Sequence, residues 1–129
     1  MSSDPWALGG CVDRLLAFRT ARNWEQFHRP KELAAALAIE AGELQELFLW
    51  KPDESAQQVR SDAARLERVR EELADVTIFA LLMAYDLKIN LAEAVEHKIA
   101  SNKRRYPVEA HKGVARKSSI QMPDRTHRS

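Results

Sequence analysis

Apolar residues recur every three or four positions along most of this chain, and this spacing predicts α-helices. Four segments carry the pattern, as expected for helices with one buried face: they span residues 12–22, 31–48, 61–87 and 90–105. Prolines mark the breaks, at Pro30, Pro52 and Pro107, because proline disfavours helix in the residue before it. The polar stretch up to Arg60 is predicted as a loop or short turn. No segment has the alternating pattern of a β-strand, so the sequence predicts an all-α fold, a bundle of four main helices.

The 129 residues, 45% apolar and 30% charged, fit one globular domain of ordinary size. We expect a loose leader over residues 1–9, a folded domain over 10–109 and a basic, disordered tail over 110–129. The tail has five cationic residues against one anionic residue, which leaves the body slightly acidic. An acidic body argues against a stable nucleic-acid partner.

Cysteine usage and hydropathy bear on the compartment. The lone Cys11 excludes an internal disulfide and a cysteine-based zinc site, which fits a reducing compartment. No apolar run approaches the roughly 18 residues of a membrane span, so we expect no membrane partner. These features favour the cytoplasm.

Two pairs of carboxylates lie inside segments that otherwise have the pattern of buried helix. They are Glu40/Glu43 in the second helix and Glu72/Asp75 in the third, each pair spaced i,i+3 and so on one helix face. Two such helices side by side would bring four negative charges together, which is unfavourable unless a cation balances them. Mg²⁺ prefers carboxylate oxygens, water and substrate phosphates. Acidic i,i+3 pairs are also common on solvated helix faces, and spacing alone leaves both interpretations open.

The end of the fourth helix and the two non-helical connections carry further candidates. Lys98, Asn102, Arg105 and Tyr106 continue one helix face and could donate to a polyphosphate, although cations also complement the dipole at helix ends. Aromatic residues in the connections could stack on a nucleobase, cover the end of the bundle or contact another subunit; these are Trp24, Phe27, His28 and Trp50.

Four blocks of sequence together resemble the MazG-like all-α nucleoside triphosphate pyrophosphohydrolases, most of all the dCTP pyrophosphatase branch. They are Asn-Trp-Glu-Gln-Phe-His-Arg-Pro (23–30), Glu-Ala-Gly-Glu-Leu-Gln-Glu-Leu-Phe-Leu-Trp (40–50), Glu-Glu-Leu-Ala-Asp-Val (71–76) and Asn-Lys-Arg-Arg-Tyr-Pro (102–107). The resemblance spans roughly residues 12–110 with the blocks in order.

The resemblance implies Mg²⁺-dependent hydrolysis of nucleoside triphosphates, such as dCTP or modified dNTPs, to monophosphate and pyrophosphate. It implies a house-cleaning role in the nucleotide pool, a metal-activated water as nucleophile, Mn²⁺ as a possible substitute, and a homo-oligomer, a tetramer in the members most like this chain. It assigns residues to three roles: Glu40, Glu43, Glu72 and Asp75 as catalytic metal ligands; Lys98, Asn102, Arg105 and Tyr106 at the phosphates; and Trp24, His28, Trp50 and Phe79 at the base.

Two departures from the dCTP-specific pattern concern the base pocket. Leu15 stands where those members have histidine, and Phe79 where tyrosine is frequent, so polar groups that could discriminate bases are missing. Two rival interpretations remain to be compared. A di-iron bundle requires Glu-x-x-His on two helices, and neither Glu40 nor Glu72 has a histidine three residues later. The alternative is a non-catalytic helical interaction module, which would tolerate loss of all four carboxylates.

Overall fold

A computed structural model of the chain describes residues 4–114, and these residues form helices and connections without any β-strand. The all-α prediction is therefore confirmed. The helices are α1 (Gly9–Ala21), α2 (Pro30–Glu46), α3 (Ala56–Ser61), α4 (Ala63–Asp86), α5 (Leu91–Arg105) and α6 (Val108–His111). The four long helices occupy the predicted segments, with each end within three residues of its expected place.

Three short helical elements were not predicted. A 3₁₀ turn, Glu25–Phe27, lies between α1 and α2. The helix α3 replaces the predicted loop or turn before Arg60, and a capping box starts it: the Ser55 hydroxyl accepts from the Gln58 amide, and the Gln58 side chain accepts from the Ser55 amide. The helix α6 extends to His111, two residues into the segment predicted as tail. The rest of that segment, 115–129, lies outside the described residues.

The chain divides into two compact units, with the boundary between Ile89 and Asn90. In the first unit α4 is the central element, because α1, α2 and α3 all pack against it. The most deeply buried apolar side chains of this unit are Leu33 on α2, Leu47 directly after α2, and Leu82 and Ala84 on α4.

Both α1 and α4 end in the same left-handed turn. Asn23 (φ 53°) follows α1 and Lys88 (φ 56°) follows α4, and in each turn the next amide bonds to a carbonyl five residues earlier. For α1 that bond joins the Trp24 amide to the Arg19 carbonyl at 3.1 Å. The chain therefore leaves α1 in a fixed direction, and Trp24 is the first residue after the turn.

The second unit contains α5 and α6. The Asn90 side chain caps α5 by accepting from the Glu93 amide at 3.1 Å, as the sequence indicates. After α5 ends, the Tyr106 and His111 rings meet edge to face with centroids 5.2 Å apart. Among all the described helices, none combines the length and the apolar character needed to cross a membrane.

Candidate functional site

A cluster of carboxylates forms where α2 packs on α4. Glu40 and Glu43 lie one turn apart on α2, and Glu72 lies on α4. One oxygen from each of the three carboxylates lies within 4.8 Å of the others. The spacing on each helix places the acidic pairs on single faces, and the packing of α2 against α4 brings those faces together.

Two oxygens of this cluster are buried and have no partner within residues 4–114. Oε2 of Glu40 and Oε2 of Glu72 accept no hydrogen bond from the described residues. Two ionised carboxylates cannot donate to each other, so a shared proton, a water molecule or a cation is needed to satisfy them. The pKa of Glu40 is accordingly raised to about 7, because the protonated form hydrogen-bonds to Glu72, and because desolvation and the charges of Glu43 and Asp75 disfavour ionisation.

Asp75 stands one helical turn after Glu72 on α4. It is not one of the three carboxylates that approach within 4.8 Å, but its charge acts on Glu40 and it lines the neighbouring cavity. Asp75 therefore connects the carboxylate cluster to the cavity, and its predicted role as a fourth ligand stays a prediction.

The cluster fits a hard divalent cation. The available donors are all carboxylate oxygens, which Mg²⁺ and Mn²⁺ prefer. Two of the oxygens are buried and lack hydrogen bonds within the described part of the chain. Bound charge of +2 would remove the repulsion that raises the pKa of Glu40.

A cavity of about 940 Å³ opens beside Asp75 in the first unit. Its wall is mostly apolar and comes from the segment before α1 (Pro5, Trp6 and Leu8), from α1 and α4, and from the connection before α2. A volume of this size, lined by apolar groups with a few polar ones, is typical of a small-molecule site. Three of the four residues predicted to contact a base line it: Trp24, His28 and Phe79.

Trp24 and His28 are held by the turn between α1 and α2. The Trp24 ring makes edge-to-face contacts with Phe18 (centroids 5.6 Å apart) and with His28 (6.2 Å). The His28 amide donates to the Glu25 carbonyl at 3.1 Å, which closes the 3₁₀ turn. Nδ1 of His28 is buried and has no hydrogen-bond partner among the described residues. This nitrogen is therefore a buried polar atom of a residue in the mostly apolar wall.

Trp50 has a different environment from the other three predicted base residues. Its side chain is 98% exposed, and it is not among the described residues that line the cavity. Its backbone is left-handed (φ 62°), which is uncommon outside glycine and asparagine. A role for Trp50 at the base stays a prediction.

The predicted phosphate-binding residues belong to the second unit. Lys98 is exposed on α5, whereas Asn102, Arg105 and Tyr106 are partly buried at its C-terminal end. Their role toward phosphate stays a prediction.

Sequence reasoning missed Arg19, a buried cation in the wall of the cavity. Its guanidinium makes two hydrogen bonds to the Asp86 carboxylate, at 2.9 and 2.8 Å. The available signal was its position one turn after Leu15, on the apolar face of α1, where a charged residue requires a partner. The partner is 67 residues away in sequence, so only the fold identifies it.

Comparison with known proteins gives consistent results. The profile of the MazG-like family matches residues 35–119. The dCTP pyrophosphatase 1 of Bos taurus is 42% identical over 98 residues, covering 76% of this chain and 58% of that protein. The Homo sapiens protein of the same name is 43% identical over 101 residues, covering 78% and 59%. The chain thus spans less than two thirds of these relatives.

A solved structure agrees with the sequence comparison. The crystal structure of a pyrophosphatase from Archaeoglobus fulgidus DSM 4304 superposes with a TM-score of 0.65 at 36% identity, covering 83% of this chain and 98% of that one. A profile match to more than half of the chain, together with this superposition, establishes the relationship. The chain belongs to the MazG-like family.

Proposed function

We propose that this protein is a nucleoside triphosphate pyrophosphohydrolase that uses Mg²⁺, with Mn²⁺ as a substitute, to release monophosphate and pyrophosphate. The observation that carries the proposal is the carboxylate cluster, two of whose oxygens are buried without a partner among the described residues, beside a mostly apolar cavity with aromatic walls that Asp75 also lines. A charged end and an apolar end in contact match a nucleotide, whose phosphates and base have the same division.

At the charged end, Glu40, Glu43 and Glu72 would hold the metal, with Asp75 beside them. Bound Mg²⁺ supplies charge that offsets the phosphate oxygens and makes a water molecule more acidic. The glutamates keep that charge in place because their helices fix them on facing surfaces. Phosphates without such compensation would be repelled by the carboxylates.

At the apolar end, the cavity would take the base. Trp24 and His28 offer aromatic surfaces on which a base would stack. The names of the bovine and human relatives favour dCTP. Leu15 and Phe79 also line the cavity, and neither can hydrogen-bond to a base. We therefore propose dCTP and related or modified dNTPs as substrates, with weak discrimination among bases.

The family resemblance assigns the remaining phosphate contacts to Lys98, Asn102, Arg105 and Tyr106. Cationic and amide donors of this kind would offset the charge that develops on the leaving pyrophosphate. Lys98 is exposed on α5, and the other three are partly buried at its C-terminal end.

We also propose that the chain works as a homo-oligomer, with a tetramer as the expected form. Large apolar side chains of the first unit that do not line the cavity are about half exposed, among them Ile39, Tyr85 and Leu87. Exposed apolar surface of this extent marks an association site. Light scattering coupled to size-exclusion chromatography measures the mass directly, and a monomer at micromolar concentration would contradict this part of the proposal.

The proposed activity is tested by incubating the full chain with a panel of dNTPs and NTPs, with Mg²⁺ or with a chelator. Ion-exchange chromatography separates monophosphate from diphosphate, and pyrophosphate is measured independently. Glu43→Gln and Asp75→Asn are the site variants. Glu46→Gln is the matched control, because Glu46 is an exposed glutamate one turn after Glu43 on the same helix.

The products distinguish the possible outcomes. Monophosphate and pyrophosphate, lost with the chelator and in both site variants but kept in Glu46→Gln, would support the proposal. Diphosphate and phosphate would mean that a different bond is cleaved. No turnover by well-folded protein would refute the proposal and favour the interaction module.

A further inference from the structure

Trp6 lies before α1 and lines the same cavity as Trp24 and Asp75. It is nevertheless 85% exposed, against 41% for Trp24. Tryptophan is highly buried on average, because its ring removes roughly 150–250 Å² of surface from water when it is covered. A tryptophan that lines a mostly apolar cavity and stays open to solvent therefore has most of its surface available to a ligand.

A tight turn fixes the backbone of Trp6. The Ala7 amide donates to the Asp4 carbonyl at 3.2 Å, so residues 4–7 form a β-turn with Pro5 and Trp6 at its central positions. Proline is favoured at the first of these positions because its ring presets φ. The Trp6 amide also donates to Oδ1 of Asp4, at 3.0 Å. The turn thus holds Trp6 by its backbone and leaves the side chain exposed.

Three other rings of the cavity wall contact one another. Trp24 meets Phe18 and His28 edge to face, so neighbouring rings already cover part of its surface. Trp6 has no such ring contact within residues 4–114. Its ring is therefore the least covered aromatic surface of Trp6, Phe18 and Trp24, which are 85%, 48% and 41% exposed.

The composition of the wall indicates what kind of ligand this ring would contact. Aliphatic side chains form much of the wall, among them Leu15, Ile78 and Leu82, and they can cover a flat ring without hydrogen-bonding to it. A nucleobase can stack on a tryptophan whatever its pattern of hydrogen-bond donors and acceptors, because every base has a π-face. Asp75 lines the same cavity, so a base held there would lie near the carboxylate cluster.

We propose that Trp6 stacks on the base of the bound nucleotide and forms the open side of the base site. This inference rests on the proposed function, in which the cavity takes the base. Trp6 adds affinity without selecting among bases, since stacking does not depend on hydrogen-bond readout. The surface that is exposed in the free protein is then the surface that the base covers.

The first test compares the steady-state kinetics of Trp6 variants, using the full chain and the nucleotide that the wild type turns over fastest. Losing a base–aromatic stack weakens binding by roughly fivefold to a hundredfold. We expect Trp6→Ala to raise KM by about tenfold and to leave kcat within about twofold, because a stack stabilises bound substrate and transition state alike. Trp6→Phe keeps an aromatic face, so its KM should stay within about threefold of the wild-type value.

Two further variants separate stacking from other roles. Trp6→Leu keeps an apolar side chain without an aromatic face, so its KM should rise as in Trp6→Ala. Phe27→Ala is the matched control, because Phe27 is 62% exposed and is not among the described residues that line the cavity. Its KM should equal that of the wild type. A wild-type KM in Trp6→Ala or Trp6→Leu, or equal KM increases in Trp6→Ala and Phe27→Ala, would overturn the inference.

The second test needs no turnover. The chain has three tryptophans, and Trp24→Phe/Trp50→Phe leaves Trp6 as the sole one. Titration with dCMP, which has the base and the sugar but no pyrophosphate to release, then reports on this ring through its fluorescence. We expect saturable quenching by dCMP and none by 2-deoxyribose 5-phosphate, which lacks the base. Absence of quenching by dCMP, or equal quenching by the two compounds, would overturn the inference.

Mass and activity distinguish the other outcomes. If Trp6 contacted another subunit instead of the base, Trp6→Ala would have a lower mass than the wild type in light scattering, and this result would overturn the inference. Turnover by the wild type with an unchanged KM in Trp6→Ala refutes only the inference. A wild type without turnover refutes the proposed function, and the dCMP titration then still decides whether Trp6 contacts a base.

Discussion

The ion pair between Arg19 and Asp86 gives the sharpest prediction about stability. The two side chains are 7% and 24% exposed, and two hydrogen bonds join them at 2.9 and 2.8 Å. Asp86→Asn would remove the charge and leave the shape nearly unchanged. The buried guanidinium would then lack a counter-charge, and burying an unpaired charge is far more costly than burying a pair.

The expected cost is about 3 kcal/mol, at the low end of the roughly 3–5 kcal/mol seen when one partner of a buried pair is removed. The low end applies because Asp86 is still a quarter exposed, and because asparagine can accept one hydrogen bond. For a chain of this size the loss corresponds to a fall in Tm of about 10 °C. Replacing both partners with apolar residues, Arg19→Met/Asp86→Leu, should restore most of the stability, because neither charge is then buried alone.

The assay is urea unfolding followed by circular dichroism at fixed protein concentration, since self-association would otherwise contribute. Asp13→Asn, which changes an exposed aspartate on α1, is the control. The pKa of Asp86 is lowered by its hydrogen bonds from Arg19, so its stabilisation is complete above the unfolded pKa of about 3.9 and is lost as pH falls through the folded value. The difference in unfolding free energy between the wild type and Asp86→Asn should therefore disappear as the pH falls below about 4. A difference under about 1 kcal/mol at pH 7, or a difference that does not change with pH, would contradict a stabilising role for the ionised pair.

Two further predictions concern the nucleotide. Phe79→Tyr adds a hydroxyl to the wall of the cavity, and we expect the kcat/KM ratio of dCTP to other dNTPs to rise by about tenfold; an unchanged ratio in competition assays would show that this position does not contact the base. Lys98→Ala should lower kcat/KM for triphosphates by about ten- to a hundredfold, because a charged contact is lost. The control Lys103→Ala, on the same helix, should leave kcat/KM unchanged. Equal effects of the two substitutions would indicate a general electrostatic role.

Local features of the sequence were sufficient to predict the four long helices, and they marked the acidic pairs as candidates without deciding between a metal site and a solvated face. Periodicity identifies α1, α2, α4 and α5 because each has an apolar face, and the i,i+3 spacing of Glu40 and Glu43 identifies one side of the cluster. The helix α3 was missed because it is short and polar, although Ser55 and Gln58 form a recognisable capping box.

Contacts between distant residues could not be predicted in the same way. Arg19 and Asp86 are 67 residues apart, and Arg65 and Glu54 are 11 apart across two helix starts. Several acidic residues in the sequence could pair with each arginine, and the packing of the helices against α4 determines which of them does. The sequence also does not predict the exposure of Trp50, because a tryptophan in a connection between helices can be either exposed or covered by other residues.

Release of pyrophosphate from dCTP by the full chain, measured with and without Mg²⁺, tests the role of the carboxylate cluster in hydrolysis. We expect dCMP and pyrophosphate in equal amounts with Mg²⁺, no product with a chelator, and loss of the activity in Glu43→Gln but not in Glu46→Gln. Product formation that continues in the chelator, or that survives Glu43→Gln, would show that this carboxylate cluster does not bind a metal that drives hydrolysis.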